Sequence, residues 1–124
     1  MTPGYEQYLE ELVDFHEKEN VMGHIKKHEI VKGDVCEMLP RWLASNPQAF
    51  VSLALFDMAL YEPTKAALEA IKPRLIKGSV IVFDELNHKD YPGETAAAVE
   101  ILERDNFRIE NTRVLPDRVI FTKL

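Results

Sequence analysis

Apolar residues repeat along the chain with two different periods, which predict a mixture of helices and strands. Near the N-terminus they recur at spacings of three and four, as in an amphipathic helix that ends between Asn20 and Gly23. The residues of this stripe are Tyr5, Tyr8, Leu9, Leu12 and Val13. Further on, the runs FVSLALF (50–56) and SVIVF (79–83) are continuously apolar, which is typical of parallel strands covered on both faces.

The segments around these two runs complete an alternating order of elements. HEIVKGDV (28–35) predicts a strand that stops at a Gly-Asp turn, and strands at 107–115 and 118–124 predict a closing antiparallel hairpin. Three further helices are predicted, at 36–48, 64–78 and 93–106. This alternation indicates right-handed crossovers and an α/β fold, with a mainly parallel sheet and helices on both faces.

Length, charge and cysteine content narrow the class of protein. The 124 residues fit a single domain, with an N-terminal helical segment at 1–27 and an α/β core at 28–124. The net charge of -6 argues against nucleic acid or an anionic membrane as a partner, because both attract basic faces. No apolar run approaches the roughly 20 residues that span a bilayer, and no signal peptide is recognisable. Together with the single cysteine, Cys36, these features predict a cytoplasmic protein.

Carboxylates follow each of the three predicted parallel strands. They are Asp34 after Gly33, then Asp57, and finally the pair Asp84 and Glu85. Because ligands bind outside the carboxyl ends of such strands, these acids are expected to share one location. Their oxygens suit Mg²⁺ or Ca²⁺ and include no soft ligand for zinc. Each acid taken alone is equally well explained as the start of a loop or the cap of a helix.

Two stretches of the sequence carry a resemblance to a known family. FDMALYEPTKAALEAIKPRLIKGSVIVFDELNHKDYPGET (56–95), preceded by HEIVKGDVCEMLPRWL (28–43), resembles the macrocin-type sugar O-methyltransferases. These are class I S-adenosylmethionine-dependent methyltransferases. The resemblance implies a Rossmann-like sheet with strand order 3-2-1-4-5-7-6. It also implies Mg²⁺-assisted methyl transfer from S-adenosylmethionine to a hydroxyl of a sugar or another small molecule.

The same resemblance implies roles for individual residues. The family motif Asp-Met-Asp-Leu-Tyr-Glu-x-Thr begins here at Asp57, which is therefore expected to bind Mg²⁺ and to border the cofactor. Asp84 and Glu85 are expected to complete the metal site. Asp34, with Val35 beside it, resembles the turn whose acid contacts the adenine of the cofactor.

One position of the motif departs from the family. The second Asp, the proposed base that takes the proton of the sugar hydroxyl in many relatives, is replaced by Ala59. A methyl group cannot accept a proton, so the base is expected to be Glu85 or His88, or else this branch uses another substrate. A nearby Mg²⁺ would itself reduce the need for a strong base. The remaining histidines are expected to be surface residues in charged surroundings, namely His16, His24 and His28.

The glycine-rich turn that holds the cofactor in class I methyltransferases has no counterpart in this sequence. Its five glycines give no G-x-G spacing, and the resemblance begins after the first two strands of the family sheet. Without those strands, the apolar run at 50–56 has a free edge. We therefore expect either a rearranged sheet, in which 28–33 pairs with 50–56, or a homo-oligomer that covers the edge. The alternative function is a non-catalytic, truncated methyltransferase-like module that self-associates.

Overall fold

The computed structural model describes residues 4–103 and 105–124, which fold into two compact units. The N-terminal unit comprises Met1–Gly33, and the C-terminal unit comprises Asp34–Leu124. The segment that follows the first helix does not join the described sheet.

In the N-terminal unit, helix α1 spans Tyr5–Lys18, and the chain then turns back without forming regular secondary structure. The prediction of a strand at 28–35 is therefore wrong. A strand needs a neighbouring backbone to complete its hydrogen bonds, and no described strand pairs with this segment. Side chains that follow α1 instead contact carboxylates on that helix, in the pairs Lys26–Glu10, His28–Glu17 and Lys32–Glu6.

The C-terminal unit has the predicted α/β order of elements. Asp34 caps its first helix, because the carboxylate accepts a hydrogen bond of 2.9 Å from the Cys36 N–H. Pro73 ends the second helix in a short 3₁₀ turn. The elements in chain order are α2 (Val35–Ser45), β1 (Val51–Phe56), α3 (Tyr61–Ile71), the 3₁₀ turn (Lys72–Arg74), β2 (Leu75–Phe83), α4 (Gly93–Leu102), β3 (Phe107–Asn111) and β4 (Val119–Lys123).

The four strands form one mixed sheet in the order β1-β2-β4-β3. β1 and β2 are parallel, whereas β4 is antiparallel to both β2 and β3, which confirms the predicted C-terminal hairpin. The sheet is mixed rather than mainly parallel because the expected parallel strand at 28–35 does not form. The observed order corresponds to the last four places, 4-5-7-6, of the order that the family resemblance implies.

The core lies on one face of this sheet, where α3 and α4 pack. Phe83 on the central strand β2 is fully buried, with ring centroids 5.1 Å from Phe56 and 5.3 Å from Phe121. Leu68 of α3 and Ala97 of α4 are also fully buried in this cluster. None of the helices in the described part of the chain is long and apolar enough to cross a bilayer.

The opposite face and the outer edge of β1 are only partly covered. Leu53 and Leu55 are 65% and 66% exposed, and no described strand pairs with the outer side of β1. The apolar run at 50–56 therefore has the free edge that was expected, while the rearranged pairing with 28–33 does not occur. The other expected arrangement, a homo-oligomer in which a second copy of the chain covers this edge, stays a prediction.

Candidate active site

The loops that follow β1 and β2 begin side by side. Phe56 and Phe83, the last residues of these strands, are register partners, and the Asp84 N–H donates a 3.0 Å hydrogen bond to the Phe56 carbonyl. Asp57 and Asp84 therefore leave the sheet at neighbouring points, as the sequence predicts. The carboxyl ends of parallel strands are where α/β proteins bind their ligands.

A buried carboxylate at the start of α4 fastens these two loops together. Glu94 is fully buried, and its Oε1 accepts hydrogen bonds from the N–H groups of Met58 and Ala59, at 3.1 and 3.2 Å. Its Oε2 accepts another from the Glu85 N–H, at 3.2 Å. One side chain thus satisfies three backbone donors in the loops after β1 and β2. Sequence reasoning missed this role, because the helix predicted at 93–106 places Glu94 in a first turn without indicating what its side chain contacts.

The glycine before Glu94 allows α4 to approach the first loop closely. A Cβ at Gly93 would lie 2.5 Å from the Ala59 carbonyl oxygen and 2.5 Å from the Tyr61 nitrogen, closer than real Cβ contacts. On the other loop, the Thr95 hydroxyl accepts a 2.6 Å hydrogen bond from the Asn87 N–H. The first turn of α4 therefore contacts both loops, through a close backbone approach and through side-chain hydrogen bonds.

The helices behind the loops are joined by a polar cluster that includes Tyr61. Lys65 Nζ donates to Glu100 Oε1 at 2.6 Å and to the Tyr61 hydroxyl at 3.2 Å, while that hydroxyl donates to the Glu100 carboxylate. The hydrogen bond from Lys65, followed by that from Tyr61, lowers the pKa of Glu100 below its ordinary value. These contacts link α3 to α4 close to the start of the motif that begins at Asp57.

The three predicted metal ligands differ in their surroundings. Asp57 is exposed and Glu85 is half-buried. The Asp84 carboxylate, in contrast, accepts hydrogen bonds from Nε of Arg118, at 2.6 Å, and from its Nη2. Mg²⁺ commonly takes one or two carboxylates and several waters. A metal role stays a prediction for all three acids, and Arg118 competes for an oxygen of Asp84.

A compact group of possible metal ligands does occur elsewhere in the described part of the chain. Glu10, Asp14 and His28 each offer a ligand atom, and these atoms lie within 4.8 Å of one another. The carboxylates of Asp57, Asp84 and Glu85 do not form such a group in the described residues. The expectation that His28 is a surface residue is wrong, since its side chain is only 15% exposed. The return of the chain along α1, which brings His28 to these acids, could not be recognised from spacing.

The two candidate bases are held differently. His88 Nδ1 accepts a hydrogen bond of 3.3 Å from the Asp90 N–H, and its ring lies against Tyr91. A neutral imidazole whose Nδ1 accepts carries its proton on Nε2, so it has no free lone pair for a substrate proton. Glu85 is half-buried beside Asp84, and its carboxylate can accept a proton. The hydrogen bond to His88 counts against this residue as the base, and a catalytic role stays a prediction for both residues.

The backbone conformation at Ala59 suits the aspartate that the family motif has at this position. Its φ of 57° lies in the left-handed region, which costs an alanine roughly 1–2 kcal/mol and which Asp adopts more readily. The loop therefore has a backbone conformation that suits aspartate, although the residue at this position is alanine.

The predicted adenine-binding residues lie at the start of the C-terminal unit. Asp34 is exposed and Val35 is half-buried, packed against the core. One oxygen of Asp34 accepts a hydrogen bond from the Cys36 N–H, so this acid caps a helix. Helix capping was the expected alternative to binding a ligand. Contact with a cofactor stays a prediction for both residues.

Comparison with known proteins gives two close structural matches. A scan against protein-family models and a search of curated proteins each find no match. The chain is similar to the apo structure of CalS11, a TDP-rhamnose 3'-O-methyltransferase of calicheamicin biosynthesis, with 43% sequence identity and a TM-score of 0.89. That match covers 98% of this chain and 54% of the CalS11 chain. A second CalS11 structure, a calicheamicin methyltransferase, gives 42% identity and a TM-score of 0.87, over 98% of this chain and 48% of the other.

A more distant structure supports the fold. The O-methyltransferase NovP gives a TM-score of 0.63 at 19% identity, over 80% of this chain and 38% of NovP. This likeness concerns the fold alone. The chain spans about half the length of the CalS11 chains that it matches.

Replacing Glu94 by glutamine tests whether its carboxylate fastens the loops. Glutamine keeps the size of the side chain but presents an NH₂ group to a backbone donor, so we expect Glu94→Gln to lower the free energy of unfolding by about 1–3 kcal/mol. Urea unfolding, followed by the fluorescence of Trp42 in the same unit, measures the change. Glu69→Gln, at an exposed position on α3, is the control and should change the stability little. Equal stability of the two variants would contradict the assignment.

Proposed function

We propose that this chain, which is similar in sequence and structure to the sugar O-methyltransferase CalS11, functions in methyl transfer from S-adenosylmethionine to a hydroxyl of a sugar or another small molecule, assisted by Mg²⁺. The observation that carries this proposal is the pair of acid-bearing loops after β1 and β2, held together by Glu94. The 43% identity to CalS11, a sugar O-methyltransferase, supports the same chemistry. The chain spans about half of the CalS11 chain, so catalytic activity does not follow from the match alone and is proposed for this chain.

The exposed and half-buried acids at the strand ends have separate roles in this proposal. Asp57 and Glu85 provide carboxylate oxygens for Mg²⁺, and Asp84 is held by Arg118 beside them. A magnesium ion held there would supply positive charge that lowers the pKa of an acceptor hydroxyl. Glu85 has a second proposed role, in which its other carboxylate oxygen takes the hydroxyl proton, and His88 is the second candidate base.

The cofactor contributes the methyl group as part of a sulfonium, and this chain provides part of its binding site. Asp34 and Val35, at the start of α2, are proposed to contact its adenine, and Asp57 to border it. The glycines of this sequence give no G-x-G spacing, so the residues given do not include the turn that holds the cofactor in class I methyltransferases. Holding donor and acceptor in line supplies a large part of the rate in such transfers.

The net charge and the cysteine content support the partners and the location that we propose. A small hydroxyl acceptor fits the acidic loops, whereas the net charge of -6 disfavours nucleic acid and anionic membranes. A cytoplasmic location fits the single cysteine, which cannot form an internal disulfide.

A second candidate function follows from the uncovered edge of β1. Unpaired backbone groups next to exposed Leu53 and Leu55 favour pairing with another chain. In this alternative, the chain is a methyltransferase-like module that self-associates and does not catalyse.

The magnesium proposal is tested by thermal unfolding in the presence and absence of the ion. At ten times its Kd, Mg²⁺ should stabilise the chain by about 1.4 kcal/mol, or about 5 °C in Tm, because it binds the folded state. We expect Asp57→Asn to remove most of this shift, since an amide oxygen carries no charge. Asp90→Asn, an exposed acid in the loop after β2, is the control and should keep it. An unchanged shift in Asp57→Asn would refute the metal assignment.

Calorimetric titration with S-adenosylmethionine separates the two candidate functions. The methyltransferase proposal predicts saturable binding in the micromolar range when Mg²⁺ is present, and no detectable heat would count against catalysis by this chain. The alternative predicts no heat, together with an oligomer, in light scattering, that Leu53→Lys converts to monomers. Val114→Lys, at an exposed position far along the chain, is the matched control and should leave the oligomer intact.

A further inference from the structure

In the N-terminal unit, α1 and the segment after it bring four polar side chains together. Glu10 and Asp14 are four residues apart, so they lie on one face of the helix, and Glu17 follows one turn later. The chain then reverses and returns His28 to this face. His28 Nε2 lies 3.5 Å from Glu10 Oε1 and 3.3 Å from Asp14 Oδ1, and its Nδ1 lies 2.9 Å from Glu17 Oε2.

The hydrogen bond between His28 Nδ1 and Glu17 determines whether Nε2 faces the two acids with a proton or with a lone pair. A carboxylate only accepts, so Nδ1 carries a proton, and the neutral imidazole then has its lone pair on Nε2. The Nε2 atom is buried and makes no hydrogen bond, although two carboxylate oxygens lie close to it. Three electron-rich atoms that face one another are stabilised by positive charge; the Lys26 ammonium contacts one of them, Glu10 Oε1, and a second proton on His28 or a metal ion would supply the charge for the others.

We propose that Glu10, Asp14 and His28 form a binding site for a divalent transition metal ion, with zinc as the best fit. Zinc binds imidazole nitrogen and carboxylate oxygen at about 2.0–2.2 Å, which places tetrahedral ligand atoms about 3.3–3.6 Å apart. The distances from Nε2 to the two oxygens match that spacing. An imidazole ligand distinguishes this group from the all-oxygen pair of Asp57 and Glu85, which suits magnesium.

The surroundings of the group support a ligand role for His28. Glu17 holds the ring by its other nitrogen, as carboxylates commonly do behind a zinc-bound histidine. Glu17 also accepts a hydrogen bond from the Lys27 backbone N–H, which holds this carboxylate in place. The side chains of Glu10 and Asp14 are 37% and 44% exposed, so an ion can reach their carboxylates from solvent.

Lys26 is the competitor of the metal at this site. Its ammonium group contacts Glu10 Oε1, one of the proposed ligand atoms. The Lys26 side chain is 58% exposed, so it can move into solvent when an ion takes that oxygen. Because three protein ligands leave one tetrahedral position open, a water molecule would complete the site.

Zinc titration of the chain, stripped of metal with a chelator, tests this proposal. Calorimetry should show one equivalent of zinc bound in the micromolar range or tighter, with a rise in Tm. We expect His28→Gln and Asp14→Asn each to weaken binding at least tenfold. His16→Gln, which removes an exposed histidine from the same helix, is the control, and Asp57→Asn should also leave zinc binding unchanged.

NMR of the histidine ring nitrogens in the unaltered chain provides a second test, which does not depend on the folding of any variant. In the unaltered chain, one equivalent of zinc should shift the Nε2 signal of His28 while Nδ1 keeps its proton. If zinc leaves both nitrogens of His28 unchanged, or if binding is equally tight in a folded His28→Gln variant, the proposal is wrong. In that case a second proton on His28 supplies the positive charge.

Discussion

The buried carboxylate of Glu94 is the interaction on which the candidate active site depends. Three backbone N–H groups, from Met58, Ala59 and Glu85, donate to its two oxygens. Backbone donors that are buried without a partner cost free energy, so these loops need an acceptor where the strands end. Because a carboxylate has two oxygens, one side chain can serve the loops after both strands. It thereby fixes the points at which Asp57 and Glu85 leave the sheet.

The sheet and α4 provide the framework for this contact. Parallel pairing of β1 with β2 places the two loops side by side, and Gly93 lets the start of α4 approach the first of them. The same framework leaves the outer edge of β1 unpaired in the described residues. The candidate active site and the unpaired edge of β1 therefore belong to one arrangement of strands.

The sequence predicts those parts of the fold that depend on local pattern. The apolar runs that form β1 and β2, the helices between them and the closing hairpin follow from periodicity and turn residues. The strand expected at 28–35 does not form, because a strand exists only when a neighbour pairs with it. Asp57 and Asp84 could be located from their position after apolar runs. Glu94 and His28 could not, because their roles arise from contacts between residues distant in the chain.

Hydrogen exchange of the backbone amides tests the role of Glu94 most directly. The N–H groups of Met58, Ala59 and Glu85 lie in loops, where amides usually exchange fast, yet here each donates to a buried carboxylate. All three should exchange at least about tenfold more slowly than unprotected amides, and at similar rates, because one side chain protects them. Rapid exchange at these three positions, while the amide of Phe83 in the central strand stays protected, would contradict the account.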